Sequence, residues 1–276
     1  MIAGTARATA YRVAIGGFGT IGAKVARRLD DGIPGLELVA VSARDRAAAA
    51  ERMKALKRPV PVLALSELAA VADVVVECAP AAAFDEVAEA AIAAGRIFMP
   101  MSCAALLTRP HLEKQAAAAG ARIVVPTGAL VGFDAVRAAA EGTIHSVAMK
   151  TEKPPKSVKG APHLEKHGID VSNLAEPLLV FKGSAREAAI GFPANVNVAA
   201  ALSMAGIGAD RTTIEIWADP AQERNKHTIK VDADSTRFTM IIEGIPSPEN
   251  PATGLLTPLS VIATLRGLVS TLHVGT

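Results

Sequence analysis

An asparagine and a histidine stand two residues apart in Asn225-Lys226-His227, at the head of the β-forming run Thr228 to Val231. In a strand this spacing puts Asn225 and His227 on one face and Lys226 on the other. An imidazole titrating near ~6.5 takes a proton from water or from an amine at neutral pH. The pair therefore reads as a polar site suited to proton transfer, with a satisfied histidine at a strand edge as the alternative. A second chemical element is Gly17-Phe18-Gly19-Thr20-Ile21-Gly22, which has the glycine spacing of a loop that holds a dinucleotide pyrophosphate. A third is the segment from Lys150 to His167, rich in lysine and with only Glu152 and Glu165 as acids. Its Lys150 and Lys153, at the end of a strand, are candidates to pair with anionic groups of a substrate, while the rest reads as a solvated loop.

Each glycine of the loop answers a steric demand. Gly17 allows the tight turn, Gly19 lets phosphate approach the backbone, and Gly22 lets a helix pack on the preceding strand. The free N–H groups at the helix start, at Thr20 and Ile21, face the anion. The fingerprint normally reaches an acidic residue at the end of the second strand, where it binds a ribose diol. Here that position is Ser42, followed by Ala43 and Arg44. A hydroxyl and a guanidinium suit a 2′-phosphate, so the expected cofactor is NADP, with NAD also open because Asp45 can turn inward.

These residues need a scaffold, and the chain supplies one. Tyr11 to Gly16 reads as a buried strand, and Thr20 to Leu29 as a helix with Ile21, Val25 and Leu29 on one face. Further strands are expected at Leu36 to Val41, Val60 to Leu63, Val74 to Val76, Ile97 to Met101 and Ile123 to Val125, with alanine-rich helices such as Ala82 to Ala94 between them. That alternation implies α/β architecture with a doubly wound parallel Rossmann sheet over residues 1–128. A second α+β domain is expected over 129–254, for substrate, catalysis and oligomerisation. Its sheet should be mixed and largely antiparallel, from strands at Ile144 to Met149, Leu178 to Phe181, Thr213 to Trp217, Thr228 to Val231 and Phe238 to Ile242, the last three pairing in sequence. Helices are expected at Phe133 to Glu141, Ser184 to Ile190 and Asn195 to Ala205, with Asn195 as a cap and Asn197 inside the first turn, its amide open to a nicotinamide carboxamide. A final helix within 255–276 should return to the first domain.

Composition narrows the function classes. Half of the 276 residues are hydrophobic, yet 20% are charged and no run matches a membrane span, so no membrane partner is expected. Met1 to Tyr11 reads as a loose leader and not a secretion signal, which points to the cytoplasm. A net charge of +2 with 3% aromatics offers neither a basic stripe nor stacking platforms for nucleic acid. Cys78 and Cys103 are too few for a zinc site or a disulfide framework and read as structural. An antiparallel sheet with an open edge or face favours a homodimer.

Several motifs in order resemble the L-aspartate dehydrogenases: Pro-Thr-Gly-Ala-Leu-Val-Gly-Phe-Asp-Ala from Pro126, Gly-Ser-Ala-Arg-Glu-Ala-Ala from Gly183, and Phe-Pro-Ala-Asn-Val-Asn-Val-Ala-Ala-Ala-Leu-Ser from Phe192. Ala218-Asp219-Pro220, Asn225-Lys226-His227 and Asn250-Pro251-Ala252-Thr253 continue the series. The resemblance spans nearly the whole chain. It implies that Ala129 and Asn197 contact the cofactor and that His227 is catalytic. Thr127 and Ser42 depart from residues common in that family, and the second leaves the cofactor preference open.

The resemblance implies reversible oxidation of L-aspartate by NAD or NADP, giving an imine that is hydrolysed to oxaloacetate and ammonia or passed on to NAD biosynthesis. On this reading His227 deprotonates the amine or the attacking water, with an ionisation expected between about pH 6 and 8. Other reductases of similar architecture, of the homoserine dehydrogenase or dihydrodipicolinate reductase type, remain alternatives. So does a dinucleotide sensor without turnover, although the Asn225 and His227 pair argues against it.

Overall fold

The computed structural model describes residues 10–193, 196–250 and 253–275. Most of the expected leader, the cap assigned to Asn195, and Pro251-Ala252 of the last motif lie outside them. The chain divides into two compact units, one of Met1–Ser102, Arg109–Pro126 and Pro258–His273, the other of Cys103–Thr108, Thr127–Thr257 and Val274–Thr276.

The first unit is built on six parallel strands, β1 (Tyr11–Gly16), β2 (Leu36–Ser42), β3 (Val62–Leu63), β4 (Val74–Glu77), β5 (Ile97–Pro100) and β6 (Arg122–Ile123). Their order is β3-β2-β1-β4-β5-β6, so the winding reverses between β1 and β4. Val13, Ile15, Val74, Val76 and Met99 are completely buried, which is why these strands read as continuous apolar runs without alternation. The helices are α1 (Thr20–Asp30), α2 (Arg46–Met53), α3 (Leu68–Val71), α4 (Phe84–Ala93) and α5 (His111–Ala119). Val25, Ala26 and Leu29 of α1 are buried in this core, and Ile21 packs against it. Phe84 of α4 meets Phe98 edge to face, ring centroids 5.7 Å apart.

The second unit carries α6 (Phe133–Ala140), α7 (Pro162–His167), α8 (Ala185–Gly191), α9 (Asn197–Ala205) and five strands, β7 (Ile144–Lys153), β8 (Leu178–Ser184), β9 (Thr212–Ala218), β10 (Lys226–Ala233) and β11 (Arg237–Glu243). The sheet order is β11-β10-β7-β9-β8. The three last strands do not pair in sequence as expected. β10 and β11 form an antiparallel pair, but β7 lies between β10 and β9, antiparallel to the first and parallel to the second. β7 is ten residues long because its polar end still pairs, Lys150 to Glu152 on both sides and Lys153 with β9, and this gives it the reach of a central strand. α8 starts in a capping box in which Ser184 accepts from the Glu187 N–H and the Glu187 carboxylate accepts from the Ser184 N–H. The last helix, α10 (Leu256–Gly267), contributes Val261 and Leu265 to the core of the first unit.

Candidate cofactor and catalytic sites

In the first unit β1 ends at Gly16 and α1 begins at Thr20, so the glycine loop joins a strand to a helix. Gly17 has φ +116°, in the region that favours glycine, and a Cβ there would run into the Cys78 carbonyl oxygen. A Cβ on Gly22 would collide with the carbonyl oxygen of Gly17 and crowd Ile15. Gly19 behaves oppositely, since a Cβ there would meet nothing within 4 Å. No side chain caps α1 and its first turn holds no acid. Two glycines thus fit the loop to the protein, while the third keeps backbone open beside an uncapped helix start. That cradle fits a dinucleotide pyrophosphate.

Ser42 closes β2 beside this loop, and its carbonyl accepts a 3.0 Å hydrogen bond from the Gly17 N–H. Ser42 is buried and Arg44 exposed. Asp45 does not turn inward. It is the N-cap of α2, and its carboxylate accepts from the Ala48 N–H at 2.9 Å.

Sequence reasoning missed Glu77, at the carboxyl end of β4 where the winding reverses. It is wholly buried and its carboxylate accepts from the Ala79 N–H (2.9 Å), the Ser102 N–H (2.9 Å) and the Ser102 hydroxyl (3.1 Å). Burial pushes its pKa up against these donors. An acid inside an apolar strand, Val-Val-Val-Glu, was the available signal. Cys78, next to it, has its thiol pKa raised well above 9.0 by burial and by the Glu77 charge, which disfavours a thiolate nucleophile.

In the second unit Ala129 sits half-buried in the turn after Gly128. Asn197 is the first residue of α9. Its amide is not wholly open, because Oδ1 accepts a 3.1 Å hydrogen bond from the Ala104 N–H. The Cys103 thiol donates to the Asn197 carbonyl at 2.9 Å. Asn197 therefore anchors α9 to the 3₁₀ segment Cys103–Thr108 through its oxygen and turns its nitrogen, with two donors, elsewhere.

His227 is the second residue of β10, an interior strand, so it is not an edge histidine. It faces Thr151 of β7, whose hydroxyl lies 3.1 Å from Nδ1. Lys153 follows on the same face of β7, and His227 and Lys153 are each only 4% exposed. Continuing the register one residue past Lys226 and Glu152 puts Asn225 opposite Lys153. Asn225 lies just before the strand, its carbonyl accepting from the Gly244 N–H at 2.8 Å. His227, Thr151 and Lys153 thus form a polar end to a face that is otherwise Met149, Val147, Ile229 and Val231, with Asn225 just outside the strand next to His227's end of it.

Lys150 does not join them. An odd spacing from Lys153 turns it to the other face, where it pairs with Glu152 at 2.8 Å and lies over Trp217, 4.9 Å from the ring centroid. Nor does the imidazole keep its ordinary titration. Burial, reinforced by the Lys153 charge, lowers His227 to about 3, and burial lowers Lys153 to about 8. His227 is thus a neutral imidazole across the physiological range.

A family model described as "Homoserine dehydrogenase, NAD binding domain" matches residues 17–126, and one described as "Aspartate dehydrogenase, C-terminal" matches 134–268. The first unit is accordingly an NAD(P)-binding Rossmann domain. An L-aspartate dehydrogenase of Bradyrhizobium diazoefficiens is 54% identical over 265 residues, 96% of this chain and 94% of that protein. L-aspartate dehydrogenase 3 of Bordetella bronchiseptica is 51% identical over 96% of this chain and 97% of its own length. Among solved structures, the aspartate dehydrogenase of Thermotoga maritima superposes with a TM-score of 0.72 at 26% identity, covering 96% of this chain and 99% of that one. The fold, the glycine cradle and the Asn225 to His227 segment all fall within these end-to-end matches, and the chain belongs to the L-aspartate dehydrogenase family.

Proposed function

We propose that the protein catalyses NAD(P)-dependent, reversible oxidative deamination of L-aspartate, giving iminoaspartate that is hydrolysed to oxaloacetate and ammonia. The observation that carries this reading is the near-complete match to relatives bearing that name, which includes both the cofactor loop and the buried His227. Gly17, Gly19, Thr20, Ile21 and Gly22 hold the pyrophosphate, with Ala129 and Asn197 contacting the cofactor. The bound nicotinamide supplies the hydride acceptor. His227 acts as general base through Nε2. This needs the tautomer in which Nδ1–H donates to the Thr151 hydroxyl, and the 3.1 Å separation accommodates it. Asn225 and Lys153 bind substrate next to it. Lys150, paired on the opposite face, is left out of this assignment.

NADP is the favoured cofactor. Ser42 brings no negative charge to the end of β2, Arg44 is exposed beside it, and the one nearby carboxylate, Asp45, is occupied in capping α2. A homodimer is the favoured assembly, since β11 is an edge strand with no buried residue and Ile241 is 61% exposed on it. Sedimentation checks the assembly, with a monomer at all concentrations as the contrary result. The function itself is tested by nicotinamide absorbance with NAD and NADP against aspartate, glutamate, alanine and homoserine, in both directions. Turnover confined to aspartate and oxaloacetate plus ammonia is expected. Turnover with homoserine alone, or cofactor binding without any turnover, contradicts the proposal.

A further inference from the structure

Oxidation of an α-amino acid requires two proton removals of different character. The substrate ammonium must lose a proton before its nitrogen lone pair can form the C=N bond, and water must lose one as it adds to that bond. A single imidazole is a poor instrument for both. We propose, resting on the aspartate-oxidation reading, that Lys153 accepts the ammonium proton and leaves the attacking water to His227.

The geometry puts both groups within one substrate's reach. Lys153 and His227 occupy diagonal positions on neighbouring strands and point to the same face, the arrangement in which long side chains meet. Thr151 stands between them on β7. From β9 the same face receives Ile216 and Ala218, and from β11 it receives Ile242, opposite His227. Asp219, just beyond β9, is buried with its carboxylate accepting from the Ala221 N–H and the Gln222 amide. Among these described residues His227 and Lys153 are the two ionisable groups whose titration is shifted, and the Lys153 charge disfavours a proton on His227.

Their acidities divide the labour. An imidazole held at about 3 is a weak acceptor for an ammonium proton, whereas an amine at about 8 is matched to it. In the forward direction the neutral Lys153 amine takes H⁺ from the substrate ammonium. The freed lone pair forms C=N as the Cα–H electron pair leaves as hydride to the oxidised nicotinamide. Water then adds to the carbon and gives its proton to His227. Water becomes strongly acidic as it bonds to the iminium carbon, so a weakly basic imidazole is sufficient to take its proton.

Lys153→Arg separates this role from simple carboxylate binding, because arginine keeps the charge and cannot exchange its proton at working pH. In the wild type kcat/KM is expected to rise with pH and level off above about 8, and this ionisation should persist in His227→Ala. Lys153→Arg should lower kcat by ~10²-fold or more while the KM for aspartate changes only a few-fold. Lys153→Ala, checked for wild-type cofactor affinity so that misfolding is recognised, should recover activity with added methylamine or ethylamine in proportion to the free-base concentration. A loss in Lys153→Arg confined to KM, retention of the wild-type pH profile, or failure of every amine to rescue the cofactor-competent Lys153→Ala overturns the proposal. A wild-type protein without aspartate-dependent turnover at any pH instead overturns the functional reading beneath it.

Discussion

The Thr151 hydroxyl lies 3.1 Å from Nδ1 of His227, across the β7–β10 ladder and shielded from solvent. A buried imidazole with one nitrogen so engaged has its ring orientation fixed, and on the proposed reading this leaves Nε2 to act as the base. Thr151→Val keeps the shape and deletes the partner. It should lower kcat about 10-fold or more with little change in cofactor affinity, and Thr151→Ser should restore most of the loss. Equal activity in the valine and serine variants would assign the contact to packing alone.

The glycines of the cofactor loop should fail in different ways. Gly22→Ala sets a methyl against the Gly17 carbonyl and Ile15, so it should lower the melting temperature by several degrees. Gly19→Ala meets no protein atom, so the apo protein should melt within about two degrees of wild type while cofactor affinity falls at least tenfold. Calorimetry with and without cofactor distinguishes the two, and a Gly19→Ala protein that binds cofactor normally would remove the loop from the site.

Cofactor choice turns on the end of β2. Ser42→Asp places a carboxylate where a 2′-phosphate is expected, so the KM for NADP should rise more than that for NAD. Identical changes for the two cofactors would show that this position does not read the ribose.

Acid should destabilise the protein through His227. Its value is about 3 when folded and near 6.5 in the unfolded chain, so the unfolded state binds more protons between these limits. The stability this group provides is complete above about pH 6.5 and is lost as pH falls towards 3. Urea midpoints of His227→Gln should therefore depend less steeply on pH than those of wild type between pH 6.5 and 4. Parallel curves would mean that the imidazole is not buried in its neutral form.

The Rossmann unit was legible because buried parallel strands and a glycine loop are local patterns: Tyr11 to Gly16 and Thr20 onwards are set by residues within a dozen positions. The second sheet was less so. That β7 sits between β9 and β10 depends on pairings over 60 or more residues, which no local period reports. Asn225 and His227 could be found from a two-residue spacing. Thr151 and Lys153 join them only through cross-strand register, and the same register turns Lys150 away. Asn197 was recognisable as polar at a helix start, but its bond to the Ala104 N–H joins segments 93 residues apart. Glu77 shows in the sequence only as an acid inside an apolar strand, and its three donors, two of them from Ser102 across 25 residues, appear only in the fold.

The most direct test of the account is the turnover of His227→Ala with L-aspartate, set beside its cofactor affinity measured by nicotinamide fluorescence. If the imidazole is the general base, kcat should fall by ~10²- to 10⁴-fold while cofactor binding stays within a few-fold of wild type. Unchanged kcat, or a loss that parallels weakened cofactor binding, would contradict the central claim that His227 performs the chemistry.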